Sequence, residues 1–392
     1  MSITSRLAVR AAIAAIAGVV VVAGSGAASA QVRYVAFGDS ITAGVGDESP
    51  TYGGEGYTRR LQDLLRSRGI NAFVDNFGEG GEDTNEGVGR IDSALSGGGD
   101  VLLLMEGTND ITTNISPETT LQNLAFMASK ADKRRMRVVH ATTIPRLPNV
   151  TSDYRNIVSQ RLAEGLRDEA GSNGRDLADP FAVFSAQGSL FSRLYARLDN
   201  DPVGHPNAAG YDLLAGVFAD VETDRDLVPP VPGLTTPPTG SRDVAPGAEL
   251  VMDVWDFGTE PEPTSLVLTV NGADVVPTRV GEGRLIQLRY RPPMPWAGVV
   301  RVALKGRDRT SPPNETSRES LRFVVQGVQL LTGDLDQDGR VDGEDLVTFA
   351  LHFGARRNQP GRYLATADFD NDGEINGVDL ATLAANFGRS AG

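Results

Sequence analysis

Between Val32 and about Asp226, short β-rich runs alternate with longer helical patterns, and this alternation restricts the fold more than any other feature of the chain. The candidate strands are Val32–Phe37, Asn71–Asn76, Val101–Glu106, Arg137–Thr143 and Arg175–Asp179. Helical patterns fall at Gly56–Arg68, Thr84–Leu95, Pro117–Lys133, Ser152–Ala170 and Asn207–Asp220. Strands separated by helix-length crossovers pair in parallel, so the pattern predicts an α/β, doubly wound sheet. Val101-Leu102-Leu103-Leu104-Met105 is apolar at every position, as a central strand covered on both faces should be.

At 392 residues the chain has room for several cores, and the α/β pattern uses only part of it. Val228–Ser241 holds five prolines, 229, 230, 232, 237 and 238, a composition that predicts a semi-rigid linker over 227–241. The helical period is absent from there to about Gln326. Leu266–Val270, Asn271-Gly272 and Ala273–Val276 carry the signal of a type I′ hairpin. Further strands at Leu285–Tyr290, Val299–Leu304 and Leu321–Val325 predict an immunoglobulin-sized β-sandwich over 242–327. Lys and Arg total 37 against 51 Asp and Glu, and the resulting charge of −14 disfavours a nucleic-acid partner. The absence of cysteine removes disulfides, thiolate metal sites and thiol nucleophiles.

The N-terminus has Arg6 and Arg10, an apolar run from Ala11 to Ala23 and the small residues Ala28-Ser29-Ala30, the architecture of a secretory signal peptide over 1–30. The apolar run is too short to span a bilayer, so the mature protein is expected to be secreted, without a membrane span.

In the last segment, 328–392, Gly333-Asp334-Leu335-Asp336-Gln337-Asp338-Gly339 recurs 34 residues later as Ala367-Asp368-Phe369-Asp370-Asn371-Asp372-Gly373. Oxygen ligands fall at loop positions 1, 3, 5, 9 and 12: Asp334, Asp336, Asp338, Asp342 and Asp345, then Asp368, Asp370, Asp372, Asn376 and Asp379. Arg340 and Glu374 supply the backbone carbonyl at position 7, and Gly339 and Gly373 allow the turn, so each loop can wrap one structural Ca2+. Each loop ends in Asp and leads only into an exit helix, at Leu346–Phe353 and Leu380–Phe387. This pattern resembles a dockerin domain over about Gly333–Gly388. The resemblance implies a small α-helical domain that docks a cohesin-like partner, with Gly343 and Glu344, and Gly377 and Val378, at the positions that help to choose it.

The first strand ends in Gly38-Asp39-Ser40, the second in Gly78-Glu79-Gly80-Gly81 and the third in Gly107-Thr108-Asn109-Asp110. Ligands bind at the carboxyl edge of an open α/β sheet, so a hydroxyl, flexible backbone amides and a side-chain amide are expected in one crevice. Acyl transfer needs such a set, a nucleophile with donors for an oxyanion, plus a general base. Of three histidines, His352 lies in the repeat and His140 inside an apolar strand, where a packed imidazole is expected. His205, in a loop entering a helix, remains as the partner of Ser40, with an upstream Asp to orient it.

These residues resemble the SGNH (GDSL-type) hydrolase family across about Arg33–Asp220. The resemblance implies a flavodoxin-like sheet, no cofactor for catalysis, Ser40 as nucleophile, His205 as base, and an oxyanion hole from the Ser40 and Gly81 N–H groups and the Asn109 side chain. Family members usually carry Asp three residues before the His, where this chain has Pro202. Asp201 is the better replacement, with Gly204 taking up the extra residue, and Asp199 is second. Acidic residues after the first two strands, Asp47, Glu48, Glu55, Glu79, Glu82, Asp83 and Glu86, would favour neutral esters if they rim the site. The expected function is a secreted serine esterase acting on acylated, chiefly O-acetylated, carbohydrate. The alternative is a non-catalytic, calcium-dependent glycan-binding adaptor.

Overall fold

The computed structural model describes residues 30–146, 154–187, 193–196, 198, 201, 203–327, 331–336, 339–357 and 363–390. All but the last residue of the leader reading fall outside this set. Among the described residues no helix is long and apolar enough to cross a membrane.

The first layer is a parallel five-stranded sheet, β1 (Val32–Gly38), β2 (Ala72–Gly78), β3 (Val101–Met105), β4 (Arg137–Ala141) and β5 (Asp176–Ala178), in the order β2-β1-β3-β4-β5. This is the flavodoxin-like order, and its direction reverses beside β1, so the β1, β2 and β3 loops open into one crevice. All five residues of β3 are buried, as its uninterrupted apolar run requires. Leu103 and Met105 enter one core cluster, and Leu102 and Leu104 enter the other, on the opposite face. The longer helices are α2 (Gly56–Ser67), α3 (Thr84–Ala94), α5 (Pro117–Lys133), α6 (Tyr154–Asn173) and α8 (Ala208–Glu222). One-turn elements α1 (Ser40–Ala43), α4 (Thr108–Thr113) and α7 (Pro180–Ser185) follow strands β1, β3 and β5.

The proline-rich segment corrects the expectation of a linker. Val231–Thr236 is β6, the edge strand of a four-stranded sheet, and its residues alternate between buried and less buried positions. Prolines are tolerated there because an edge strand leaves N–H positions that face no neighbour. The sheet pairs β6 with β8 (Leu250–Trp255), β8 with β12 (Leu285–Tyr290) and β12 with β11 (Thr278–Val280). The facing sheet is built from β7 (Ser241–Val244), β9 (Val267–Val270), β10 (Ala273–Val275), β13 (Val299–Arg307) and β14 (Glu315–Val325) in the order β10-β9-β13-β14-β7, and it contains the expected hairpin, with Asn271 and Gly272 at φ +46° and +84°. Leu250, Met252, Val254, Leu288, Val302 and Phe323 lie among the core residues between the sheets.

The sandwich is joined to α6 by specific contacts. Trp255 Nε1 donates to Asp168 Oδ1 at 2.8 Å, Arg167 Nη1 donates to the Pro232 carbonyl at 2.6 Å, and the Trp255 ring occupies the space a Cβ at Gly171 would need. The last two helices, α9 (Gly343–His352) and α10 (Gly377–Asn386), share a small core of Leu335, Val341, Phe349, Ile375 and Leu383.

Candidate active site and metal loops

Ser40 is placed by backbone geometry at the end of β1. A Cβ on Gly38 would lie 2.0 Å from the Met105 carbonyl, so glycine lets β1 and β3 converge there. Asp39 then caps α1 by accepting from the Ile41 N–H at 2.9 Å. Burial pushes the Asp39 carboxyl up to about 6, against the pull of that hydrogen bond and of His205. Ser40 is the first residue of the turn, where a helical N–H has no partner within the helix.

His205 Nε2 lies 2.8 Å from Ser40 Oγ. The loop holding the imidazole is tied by the Ala196 N–H donating to the His205 carbonyl at 2.8 Å and by a bridge between Tyr195 and Pro206. Gly46, at φ +87°, packs beneath it: a Cβ there would be 3.1 Å from His205 Cβ and 2.7 Å from the Pro206 carbonyl.

Asp201 gathers this loop. Its Oδ1 accepts from the Val203 and Gly204 N–H groups at 3.0 and 2.9 Å, and its Oδ2 from the His205 N–H at 2.8 Å. The same Oδ2 is 3.0 Å from His205 Nδ1, at ion-pair distance but without the alignment of a full hydrogen bond. Catalytic hydrogen bonds are often loose before substrate binds. Burial would raise the Asp201 carboxyl, but the His205 side chain and the loop N–H groups outweigh it and hold the group at about 2. Gly204 has φ +78°, the left-handed backbone that accommodates the extra residue between Asp201 and His205. Asp199 lies outside the described residues.

Gly81 is exposed at φ +84°, with open space where a Cβ would stand. Asn109 is buried on α4 and donates through Nδ2 to the Glu82 carbonyl at 2.8 Å, which ties it to the loop that carries Gly81. The structure thus joins Ser40, His205 and Asp201 directly, and links Asn109 to the residue after Gly81.

Several supporting residues were not singled out from sequence. Arg90 pairs with Glu82 (Nε–Oε2 2.6 Å, Nη2–Oε1 2.5 Å), donates to the Phe77 carbonyl at 2.9 Å and lies 4.0 Å above the Phe37 ring. Asp110 accepts from the Thr84 N–H at 2.9 Å and the Thr120 hydroxyl at 2.8 Å, fixing the start of α3 beside α5. Only the Asn-Asp pairing in the third motif hinted at Asp110. Burial, then the nearby Glu82 and Asp39 carboxylates, push Glu106 well above the usual carboxyl range. His140 is fully buried and lies 3.2 Å from Glu169, the packed imidazole its strand position implies.

The acidic rim is smaller than expected. Asp47 is buried against Arg60 at 2.6 Å, Glu82 is consumed by Arg90, and Asp83 caps α3 together with Glu86. Glu48, Glu55, Glu79 and Glu86 remain exposed.

In the first metal loop, Asp334, Asp336 and Asp345 bring carboxylate oxygens within 4.8 Å of one another; in the second, Asp368, Asp370 and Asp372 do so. Asp368 Oδ1 is buried without a hydrogen-bond partner, as expected of an oxygen reserved for a cation. Asp345 and Asp379 instead spend hydrogen bonds on their loops: Asp345 Oδ1 accepts from the Leu335 and Asp336 N–H groups, and Asp379 Oδ1 from that of Phe369. Asp342 and Asn376 cap α9 and α10 in capping boxes with Asp345 and Asp379. Arg340 bridges to Ser390, and Glu374 pairs with Arg356 at 3.1 Å. Asp338 lies outside the described residues.

Residues 36–213 match the model of the GDSL-like Lipase/Acylhydrolase family, and residues 332–387 match the Dockerin type I domain. Among solved structures, the chain is similar to a member of the lipolytic protein G-D-S-L family from Veillonella parvula DSM 2008, with 22% identity over 50% of this chain and 99% of that one, at a TM-score of 0.42. It is also similar to a catalytic mutant of an acetylxylan esterase from Geobacillus stearothermophilus, with 18% identity over 48% of this chain and 93% of that one, at a TM-score of 0.43. No curated protein matches the chain.

Proposed function

The chain carries a GDSL-like lipase/acylhydrolase domain at residues 36–213 and a dockerin type I domain at 332–387, and from this we propose that it is a secreted serine esterase that removes O-acetyl groups from carbohydrate. The observation that carries the reading is the 2.8 Å contact between Ser40 Oγ and His205 Nε2, with Asp201 behind the ring. In this mechanism His205 takes the Ser40 proton as Oγ attacks the ester carbonyl. The Ser40 and Gly81 N–H groups and the Asn109 amide receive the oxyanion, worth roughly 3–4 kcal/mol for one such donor. The imidazolium, facing an Asp201 that stays charged, returns its proton to the leaving alkoxide. Water activated by the same imidazole then releases the acid from the acyl-enzyme, so the steps need no group beyond side chains and backbone.

A dockerin type I domain is of a calcium-binding, cohesin-docking class. We assign two ions, one held by Asp334, Asp336 and Asp345 with their loop neighbours and one by Asp368, Asp370 and Asp372. Bound calcium would neutralise carboxylates that otherwise repel, coupling the loops to the folding of α9 and α10. The exposed pairs Leu346 and Leu380, and Phe353 and Phe387, stand at equivalent points of the two copies and suit an apolar cohesin face. An extracellular, polysaccharide-bound setting accords with the dockerin class, and the exposed Glu48, Glu55, Glu79 and Glu86 favour neutral over polyuronate substrates.

Hydrolysis of nitrophenyl acetate by the wild type and by Ser40→Ala tests the catalytic reading: serine-dependent turnover supports it, and none leaves only an adaptor. Acetyl release from acetylated xylan against an acetylated uronate polymer tests the substrate class, with a higher kcat/KM expected on xylan.

A further inference from the structure

Away from the two repeat loops, a third group of carboxylates gathers where the catalytic domain meets the sandwich. Asp226 follows α8, Asp256 follows β8, and Asp308 follows β13 (Val299–Arg307). One carboxylate oxygen of each lies within 4.8 Å of the others. Asp256 and Asp308 are 1% and 2% exposed, so two of these charges are removed from water.

The surrounding hydrogen bonds organise the cluster without balancing its charge. Asp226 Oδ2 accepts from the Thr259 N–H and hydroxyl, both at 2.8 Å, and Asp256 Oδ1 accepts from the Gly258 and Thr259 N–H groups. Asp308 Oδ1 accepts from the Thr310 and Asn314 N–H groups, and its Oδ2 from the Asn314 amide at 2.6 Å. Every donor here is neutral, and no ion pair reaches the three aspartates among the described residues. Asp256 Oδ2 is the exception to this pairing: it is buried and accepts no hydrogen bond. Gly258 has no side chain because Asp226 presses on it; a Cβ there would lie 2.1 Å from Asp226 Cγ.

Buried like charges without a counter-ion are costly, and a buried carboxylate oxygen is normally satisfied. Here a partner is missing at one oxygen of Asp256, in a group whose three carboxylates lie within 4.8 Å of one another. We propose that Asp226, Asp256 and Asp308 bind a calcium ion that joins the catalytic domain to the sandwich. The donor set is oxygen alone, which excludes metals that require nitrogen or sulfur ligands and suits a hard cation. Among hard cations, a site built from three protein carboxylates on separate loops favours calcium over magnesium, which holds several waters and a strict octahedron. Without the cation, burial and the neighbouring Asp226 and Asp308 push the Asp256 carboxyl up to about 7, so a trapped proton is the competing way to settle the charge.

Terbium, a luminescent stand-in for calcium, separates these cases in the full chain. The chain has two tryptophans, Trp255, next in sequence to Asp256, and Trp296, and the repeat has none. Tryptophan-excited terbium emission can arise at this site through Trp255, or at the first repeat loop through Trp296, which packs on Phe323 next to the Arg322 that donates to the Asp336 carbonyl, so a variant of the repeat loops separates the two. The wild type and a dockerin-loop variant, Asp334→Ala with Asp368→Ala, should both show the emission, and calcium should compete it away. Asp226→Asn, which keeps the Thr259 contacts, should weaken terbium binding at least tenfold while nitrophenyl acetate turnover stays at the wild-type level. No tryptophan-sensitised emission from the wild type, or emission lost only in the dockerin-loop variant, overturns the proposal in favour of the trapped proton. If Asp226→Asn loses turnover as well, the wild type and the dockerin-loop variant decide the matter without it.

Discussion

The side-chain amide of Asn109, on α4 after β3, donates to the main-chain carbonyl of Glu82, in the loop after β2, over 2.8 Å. One hydrogen bond therefore couples the two elements proposed to supply oxyanion donors. Asn109→Ala is expected to lower kcat about 10²–10³-fold with a smaller change in KM, because donors aimed at the oxyanion act mainly in the transition state. Steady-state kinetics on nitrophenyl acetate read this directly; an unchanged kcat would remove Asn109 from the oxyanion site.

Asp201→Ala should lower kcat by roughly 10²–10⁴-fold, since the imidazole loses the group that orients it and stabilises its cation. Because Asp201 also accepts three loop N–H groups, thermal unfolding of the variant separates loss of chemistry from loss of the loop. Near-normal turnover would assign the orienting role elsewhere.

Gly46→Ala tests positioning from below the imidazole. The residue has φ +87°, and an added methyl group would press on His205 Cβ and the Pro206 carbonyl. We expect kcat to fall by on the order of 10²-fold, as small misplacements of a catalytic group do, with the far-ultraviolet circular dichroism unchanged. Full activity would show that the loop yields without moving the ring.

Glu164, on α6 facing the sandwich, is buried and therefore pushed up to about 8, despite the Gln160 amide and nearby arginines that favour its charged form. An unfolded Glu titrates near 4.3. With the folded value raised, the native state holds the proton more tightly, so this contribution to stability is full below about pH 4 and is lost as pH rises towards 8. Glu164→Gln should remove that dependence. Relative to wild type its melting temperature is expected to rise with pH across this window; a parallel pair of curves would contradict the assignment.

Chelation should melt α9 and α10, each ten residues long, while leaving Ser40-dependent turnover in place. Circular dichroism with and without chelator measures the first, and the nitrophenyl acetate assay the second. An unchanged helical signal would show that this segment folds without metal.

Much of this architecture is local and was therefore readable along the chain. The apolar run of β3, the Asn271-Gly272 turn and the 34-residue repeat each state their structure within a few residues, through periodicity, left-handed backbone tolerance and ligand spacing. Pro229–Pro238 misled for the same local reason: prolines argue for a linker, whereas an edge strand without inward N–H demands accepts them. The acidic loops misled in the opposite direction, because burial of Asp47 and Glu82 depends on Arg60 and Arg90, which sequence proximity does not pair with them.

The strand–helix alternation, the serine at a strand end, a histidine in a loop entering a helix and the paired aspartate loops were all legible in the order of residues alone, since each follows from side-chain chemistry at short spacing. It took the folded chain to bring His205 to Ser40 across 165 positions, to pair Glu82 with Arg90 and to gather Asp226, Asp256 and Asp308 within 4.8 Å of one another. Those outcomes depend on how the chain closes on itself. Contacts between distant segments are set by packing and by the charge that packing leaves uncompensated, and neither is written in any local stretch of residues.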